Sequence, residues 1–261
     1  MKVYSFGDKS APVILLLPGT CCHWKGNFGG VVPLLQTDYR VLCVSYDGFD
    51  ETEQTEFTTM IDETEKIEEY IKQHCGGHIK AAYGCSLGGS FVGLLAARRK
   101  IHMDYGILGS SDLDNASKFM AKLQTSLLVP MIYPLIHDGC IKNIFLKKRL
   151  SKRAEKAPDY ANAFMKMFGT ARPYVTKRNC KNQYYSDLVT TLPDKIDVPG
   201  TKIHILYALK MGEKYRARYL KHFACPKIHE QNLYHEELLV CYPEKWTQLI
   251  KSIIFQSEET Q

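Results

Sequence analysis

The stretch AAYGCSLGGS, residues 81–90, closes a short apolar run with a cluster of small residues around one serine. Ile79 to Tyr83 has the length and apolarity of a buried strand, and Leu87 to Arg99 reads as a helix with small residues at its start. Ser86 therefore stands at a strand-to-helix turn. Gly84 and Gly88 would let the two backbones approach closely. The serine itself would take an unfavourable backbone conformation that lifts its Oγ clear of the sheet. The helix N-terminus then places the Leu87 N–H where negative charge develops beside the serine. These are the requirements of a nucleophile elbow.

Outward from Ser86 the chain alternates. Pro12 to Leu17 is a continuous apolar run stopped by Pro18-Gly19, as in a strand buried on both faces of a parallel sheet. Arg40 to Ser45, Met103 to Leu108, Lys202 to Ala208 and a weaker Lys227 to Asn232 give further strands. Phe57 to His74, acidic at its start and ended by Gly76-Gly77, and Tyr242 to Phe255 read as amphipathic helices. Strand–helix alternation predicts an α/β fold with a mostly parallel central sheet flanked by helices. It is interrupted between about residues 112 and 195, a span too long for a plain loop. There Thr125 to Ile136 is apolar and proline-punctuated, and a basic helical stretch follows. We read residues 1–111 and 196–261 as the core and 112–195 as an inserted helical cap.

The composition is that of a globular protein, with 45% hydrophobic and 24% charged residues. The apolar run Val13 to Leu17 is too short for a signal segment or a bilayer span, so no stable membrane insertion is expected. Nine scattered cysteines without a CxxC cluster suit reduced thiols in a cytoplasmic protein, and no zinc or other metal site is expected. The net charge of +6 is uneven: residues 116–190 hold fourteen Lys and Arg against four Asp and Glu, a net +10, leaving −4 elsewhere. A solvated helical face accounts for such a run, and attraction of an anionic substrate is the functional alternative. No recognition motif accompanies it, so no nucleic-acid partner is expected.

A serine nucleophile needs a base, an acid and an oxyanion site. Of nine histidines, His235 lies after the last strand and before the final helix, with His23, near the turn after the first strand, as its rival. That same turn, Leu17 to Cys21, offers the Thr20 N–H as the second oxyanion donor beside Leu87. The acid has two candidates. Asp112 follows the strand ending near Leu108, and Glu213 follows the strand ending near Ala208. Asp112 ranks first because it follows its strand end more closely and is shorter and stiffer. Glu236 and Glu237 are expected to face solvent or to cap. Cys21, with Leu127, Leu128, Met131, Ile132 and Tyr133 of the cap, is the candidate lining of an apolar pocket.

The strand–Pro18-Gly19-Thr20 turn, the strand–Gly84-Cys85-Ser86-Leu87-Gly88–helix unit and the late His235-Glu236-Glu237 loop together resemble the α/β-hydrolase family over essentially the whole chain. The resemblance implies an eight-stranded, mostly parallel sheet, a Ser…acid…His order and no cofactor. Pro18-Gly19 replaces the family's frequent His-Gly, and Gly212-Glu-Lys-Tyr215 replaces its Gly-x-x-Asp. The expected activity is hydrolysis of a carboxylic ester of a small or medium-sized organic acyl substrate. Thioester hydrolysis or acyl transfer would use the same groups, and a non-catalytic binding protein of this fold is the reading from another class.

Overall fold

Val13–Leu17 is buried along nearly its whole length, with Ile14 and Leu16 packed into one apolar layer and Leu15 and Leu17 into the other. It is the second strand of a seven-stranded sheet in a computed structural model, which describes residues 1–170 and 174–255. Arg172 of the basic segment and residues 256–261 lie outside the described residues. In chain order the strands are β1 (Lys2–Phe6), β2 (Val13–Leu17), β3 (Arg40–Ser45), β4 (His78–Gly84), β5 (His102–Leu108), β6 (Lys202–Ala208) and β7 (Lys227–Gln231). They lie in the order β1-β3-β2-β4-β5-β6-β7. Every pairing is parallel except that of β1 with β3, where Lys2 faces Ser45.

Two expectations change here. The sheet has seven described strands where the resemblance implies eight, and β1 was not foreseen. The segment KVYSF is only half-buried at the sheet edge, so it lacks the continuous apolar run that marks the inner strands.

Helices cover both faces. On one side lie α1 (Trp24–Phe28), α2 (Val32–Leu35) and the C-terminal α11 (Pro243–Phe255), which bury Trp24, Phe28, Leu35, Trp246 and Ile250. On the other lie α3 (Met60–Cys75) and α4 (Leu87–Arg98), with Ile67, Ile71, Phe91 and Leu95 against the sheet. Helix α3 begins three residues later than its apolar pattern suggests, because the Thr59 hydroxyl caps it by accepting from the Asp62 N–H at 3.1 Å. It ends at Gly76 in the left-handed conformation.

Between β5 and β6 the chain leaves the sheet, with four α-helices among the described residues: α5 (Lys118–Asp138), α6 (Ile144–Lys156), α7 (Pro158–Met167) and α8 (Lys177–Val189). After β6 come α9 (Glu213–His222) and, after β7, α10 (Glu237–Cys241). The strand order reverses between β2 and β4. A crevice outside the carboxyl ends of the strands opens at such a point, and there the turn after β2 meets the turn after β4.

Candidate active site

Ser86 has φ 51° and ψ −112°, a conformation an L-residue holds only when its surroundings impose it. The imposition comes from the glycines. A Cβ on Gly84 would stand 2.0 Å from the Gly88 carbonyl carbon, and one on Gly88 would stand 2.1 Å from the Leu17 oxygen. Strand β4, helix α4 and the end of β2 thus meet backbone to backbone, which only glycine allows. Ser111 adds a strap, its hydroxyl donating to the Ser86 carbonyl at 2.6 Å.

The turn after β2 lies against this elbow. A Cβ on Gly19 would stand 3.6 Å from the Ser86 Cβ. The turn is held by the Gly19 N–H donating to Asn27 Oδ1 at 2.9 Å and by the Tyr46 hydroxyl donating to the Pro18 carbonyl at 3.1 Å. Among the described residues neither the Thr20 N–H nor the Leu87 N–H donates to a protein acceptor, whereas the Cys21 N–H is taken by Gln183 Oε1 at 2.6 Å. Two unpaired amides beside one serine are the donor set an oxyanion requires.

His235 lies in the loop between β7 and α10, with its carbonyl accepting from the Tyr160 hydroxyl at 2.9 Å. Its neighbour Glu236 ties this loop to the elbow. Glu236 Oε1 accepts from the Ser86 N–H at 2.8 Å and the Ser110 N–H at 2.7 Å, and Oε2 accepts from the Tyr83 hydroxyl at 2.9 Å. The expectation that Glu236 and Glu237 face solvent or cap is corrected in its first half: both are buried, and Glu236 occupies the N-cap position of α10 without a side-chain cap bond. Glu237 accepts from the Tyr234 N–H at 2.7 Å. A residue adjoining the base in sequence gave no sign that three donors converge on it. Neither the His235 ring nor Ser86 Oγ makes a side-chain hydrogen bond among the described residues.

Asp112 and Glu213 are separated sharply. Glu213 is exposed in the first turn of α9. Asp112 is half-buried and within electrostatic reach of His235: burial raises its carboxyl pKa, His235 opposes the rise, and Asp114 adds to it. Arg218 holds this loop, donating to the Asp112 carbonyl at 2.7 Å and pairing with Asp114 at 2.5 Å. His23, the rival base, is elsewhere. It caps α1 through Nδ1, and its Nε2 lies 3.0 Å from Glu51. Cys85, next to Ser86, is no competing nucleophile, since burial and then the Glu236 charge push its thiol well up.

A model of the alpha/beta hydrolase fold matches residues 12–128. The chain has the α/β-hydrolase fold. A hydrolase-fold protein of Desulfitobacterium hafniense, described as a putative alpha/beta hydrolase family protein, superposes with a TM-score of 0.81 at 18% identity, over 97% of this chain and 100% of that one. MenH from S. aureus gives 0.72 at 14% identity, covering 99% and 98%. A thermophilic esterase from Thermogutta terrifontis gives 0.72 at 16%, covering 98% and 93%. Comparison with curated protein sequences returned no match.

In this fold a chamber of about 290 Å³ lies between Thr20 and the inserted helices, walled by Ile132, Leu135 and Ile136 of α5 and by Leu146 and Leu150 of α6. Of the expected lining, Ile132 is at this wall and the others are placed differently. Leu128 is 37% exposed on the outer side of α5, the Tyr133 hydroxyl donates to the Val175 carbonyl, and Met131 is not at the chamber wall. Cys21 is buried with its thiol against Cys180, and that contact followed by burial pushes its pKa well up. The cause is helical phase: α5 is apolar nearly all round, so its sequence does not say which side faces inward. Two groups with the spacing of metal ligands lie elsewhere in the hydrolase fold, His78–His102–Asp104 and His23–Asp50–Glu51.

Proposed function

We propose that the protein is a serine hydrolase acting on a carboxylic ester of a small or medium-sized organic substrate. Ser86 Oγ attacks the carbonyl carbon, and His235 takes the serine proton and returns it to the departing alcohol. Asp112 holds the imidazole in its working tautomer, and the Thr20 and Leu87 N–H groups carry the oxyanion. Water then releases the acyl group from Ser86. Helices α5 to α8 act as a cap that encloses the acyl chain.

The observation that carries this reading is Ser86 at φ 51° between β4 and α4, with two unpaired amides beside it. Labelling by a fluorophosphonate probe tests it. The folded protein is expected to be labelled and Ser86→Ala is not; a folded, unlabelled native protein would end the proposal. Aryl esters then test the acid. Asp112→Asn is expected to lower turnover by about 10³- to 10⁴-fold, the loss that follows a wrong imidazole tautomer. Glu213→Gln, at an exposed position in the first turn of α9, is expected to stay within about twofold of native.

A further inference from the structure

Arg153 lines two adjoining spaces. One is the 290 Å³ apolar chamber; the other, of about 390 Å³, is bounded by Lys152, Arg153, Glu155, Lys156 and Tyr234. The sequence places these cations in a run that a solvated helix face would explain. The structure does something else with Arg153. Its guanidinium lies over the ring of Tyr234, 5.2 Å from the centroid, and 5.9 Å from that of Tyr160. Lys210, from the turn after β6, brings its Nζ to 4.1 Å from the Tyr234 centroid. Tyr160 and Tyr234 stack at 5.2 Å, so the two rings form one platform. Two cations from separate parts of the chain therefore converge on one aromatic ring, and each gains from the ring's negative face. Among the described residues neither is paired with a carboxylate, and Glu155 is the only acid bounding that space.

Tyr234 directly precedes His235. In the proposed reaction His235 protonates the leaving oxygen, so the leaving part of the substrate departs on the imidazole side. The acyl part lies on the side of Thr20, which borders the apolar chamber. We propose that the substrate is an ester whose acyl part is apolar and compact and whose alcohol part carries an oxyanion, phosphate or carboxylate, held by Arg153 and Lys210 around Tyr234. This rests on the serine-hydrolase reading. The ester C–O bond breaks as Ser86 Oγ bonds to the acyl carbon, and the serine proton passes through His235 to the anionic alcohol. Water supplies the oxygen and proton that restore Ser86 and release the acid. At about 290 Å³ the chamber lies at the small end of ligand pockets.

The test compares 4-nitrophenyl hexanoate with 3-carboxy-4-nitrophenyl hexanoate, each rate divided by its rate of hydrolysis by hydroxide. The carboxylated ester is expected to have a kcat/KM about tenfold higher, carried by KM, the size of a charge-assisted contact. The preference shrinks as sodium chloride rises. It falls to about one in the Arg153→Gln, Lys210→Gln double variant and persists in Lys122→Gln, an exposed cap lysine outside the site. Competitive inhibition by phenyl phosphate against benzoate then tells which oxyanion fits better. A ratio of one or less in the native protein, or a preference that survives the double variant, overturns the proposal. Fluorophosphonate labelling on the same preparation separates the two levels: labelled protein without the preference refutes the anionic alcohol alone, and unlabelled folded protein refutes both.

Discussion

Glu236 adjoins His235 in sequence and turns inward, in a left-handed backbone conformation (φ 55°). Its carboxylate gathers the Ser86 and Ser110 amides and the Tyr83 hydroxyl. Hydrogen bonds to a charged acceptor are the stronger kind, and an orphaned buried donor costs about 1–3 kcal/mol. Glu236→Ala orphans all three and is expected to lower the unfolding free energy by about 3 kcal/mol or more, read from urea denaturation. Glu236→Gln keeps an oxygen for the two amides and lets the Tyr83 hydroxyl turn to accept. It is expected to cost less than half as much. An equal loss in both variants would show that the charge, rather than the donor geometry, supplies the stability.

At the scale of elements, the elbow is a three-way backbone contact among β2, β4 and α4. Gly88→Ala puts a methyl 2.1 Å from the Leu17 carbonyl oxygen, which cannot move without breaking the sheet. A loss above about 4 kcal/mol is expected, among the largest a single substitution gives. Gly93→Ala, which meets only the end of the Leu192 side chain at 2.6 Å, should cost far less in the same urea titration. Strand β2 was legible because it is an uninterrupted apolar run ended by Pro18-Gly19, and the elbow because its glycines are demanded by close approach. The edge strand β1 was not, being half-buried. The chamber-facing side of α5 was hidden for the opposite reason: Phe119, Leu123 and Leu127 are as apolar as its inner residues, yet 76%, 45% and 61% exposed. The place of Asp112 depends on the path of the loop after β5, which Tyr219 and Arg218 of α9 fix by holding Ser111 and Asp112 by their carbonyls. Contacts between segments a hundred residues apart leave no local pattern to read.

For the whole molecule, charge enclosed between the core and the inserted helices sets a pH response. The Asp187 carboxyl on α8 is pushed up to about 8, by burial first and then by Asp112, with the Ser90 hydroxyl opposing. Glu63 on α3 is raised to about 7 by burial and by Asp47. Both groups keep their protons in the folded chain at a pH where the unfolded chain releases them, near 4. The unfolded state therefore binds fewer protons, and their contribution to stability falls as pH rises from about 4 to about 8. Asp187→Asn is expected to flatten that decline, seen as a smaller shift of the urea midpoint between about pH 5 and pH 8. A variant whose midpoint falls as steeply as the native protein's would show that Asp187 does not hold its proton in the folded state.

The Glu236 carboxylate has a last consequence for how such a chain can change over time. All the groups it binds, Tyr83, Ser86 and Ser110, come from before the insertion, and Glu236 itself from after it. Ser86 and the loop that carries His235 are thus tied together inside the sheet's own framework. Helix α7 touches the base's loop only from outside, through Tyr160 at the His235 carbonyl and on the Tyr234 ring. Helix α8 is tied to the turn after β2 through Gln183 at the Cys21 N–H, so α5 and α6 are the inserted helices free to drift, lengthen or be exchanged for others. A lineage carrying this scaffold can revise its diet while keeping its teeth.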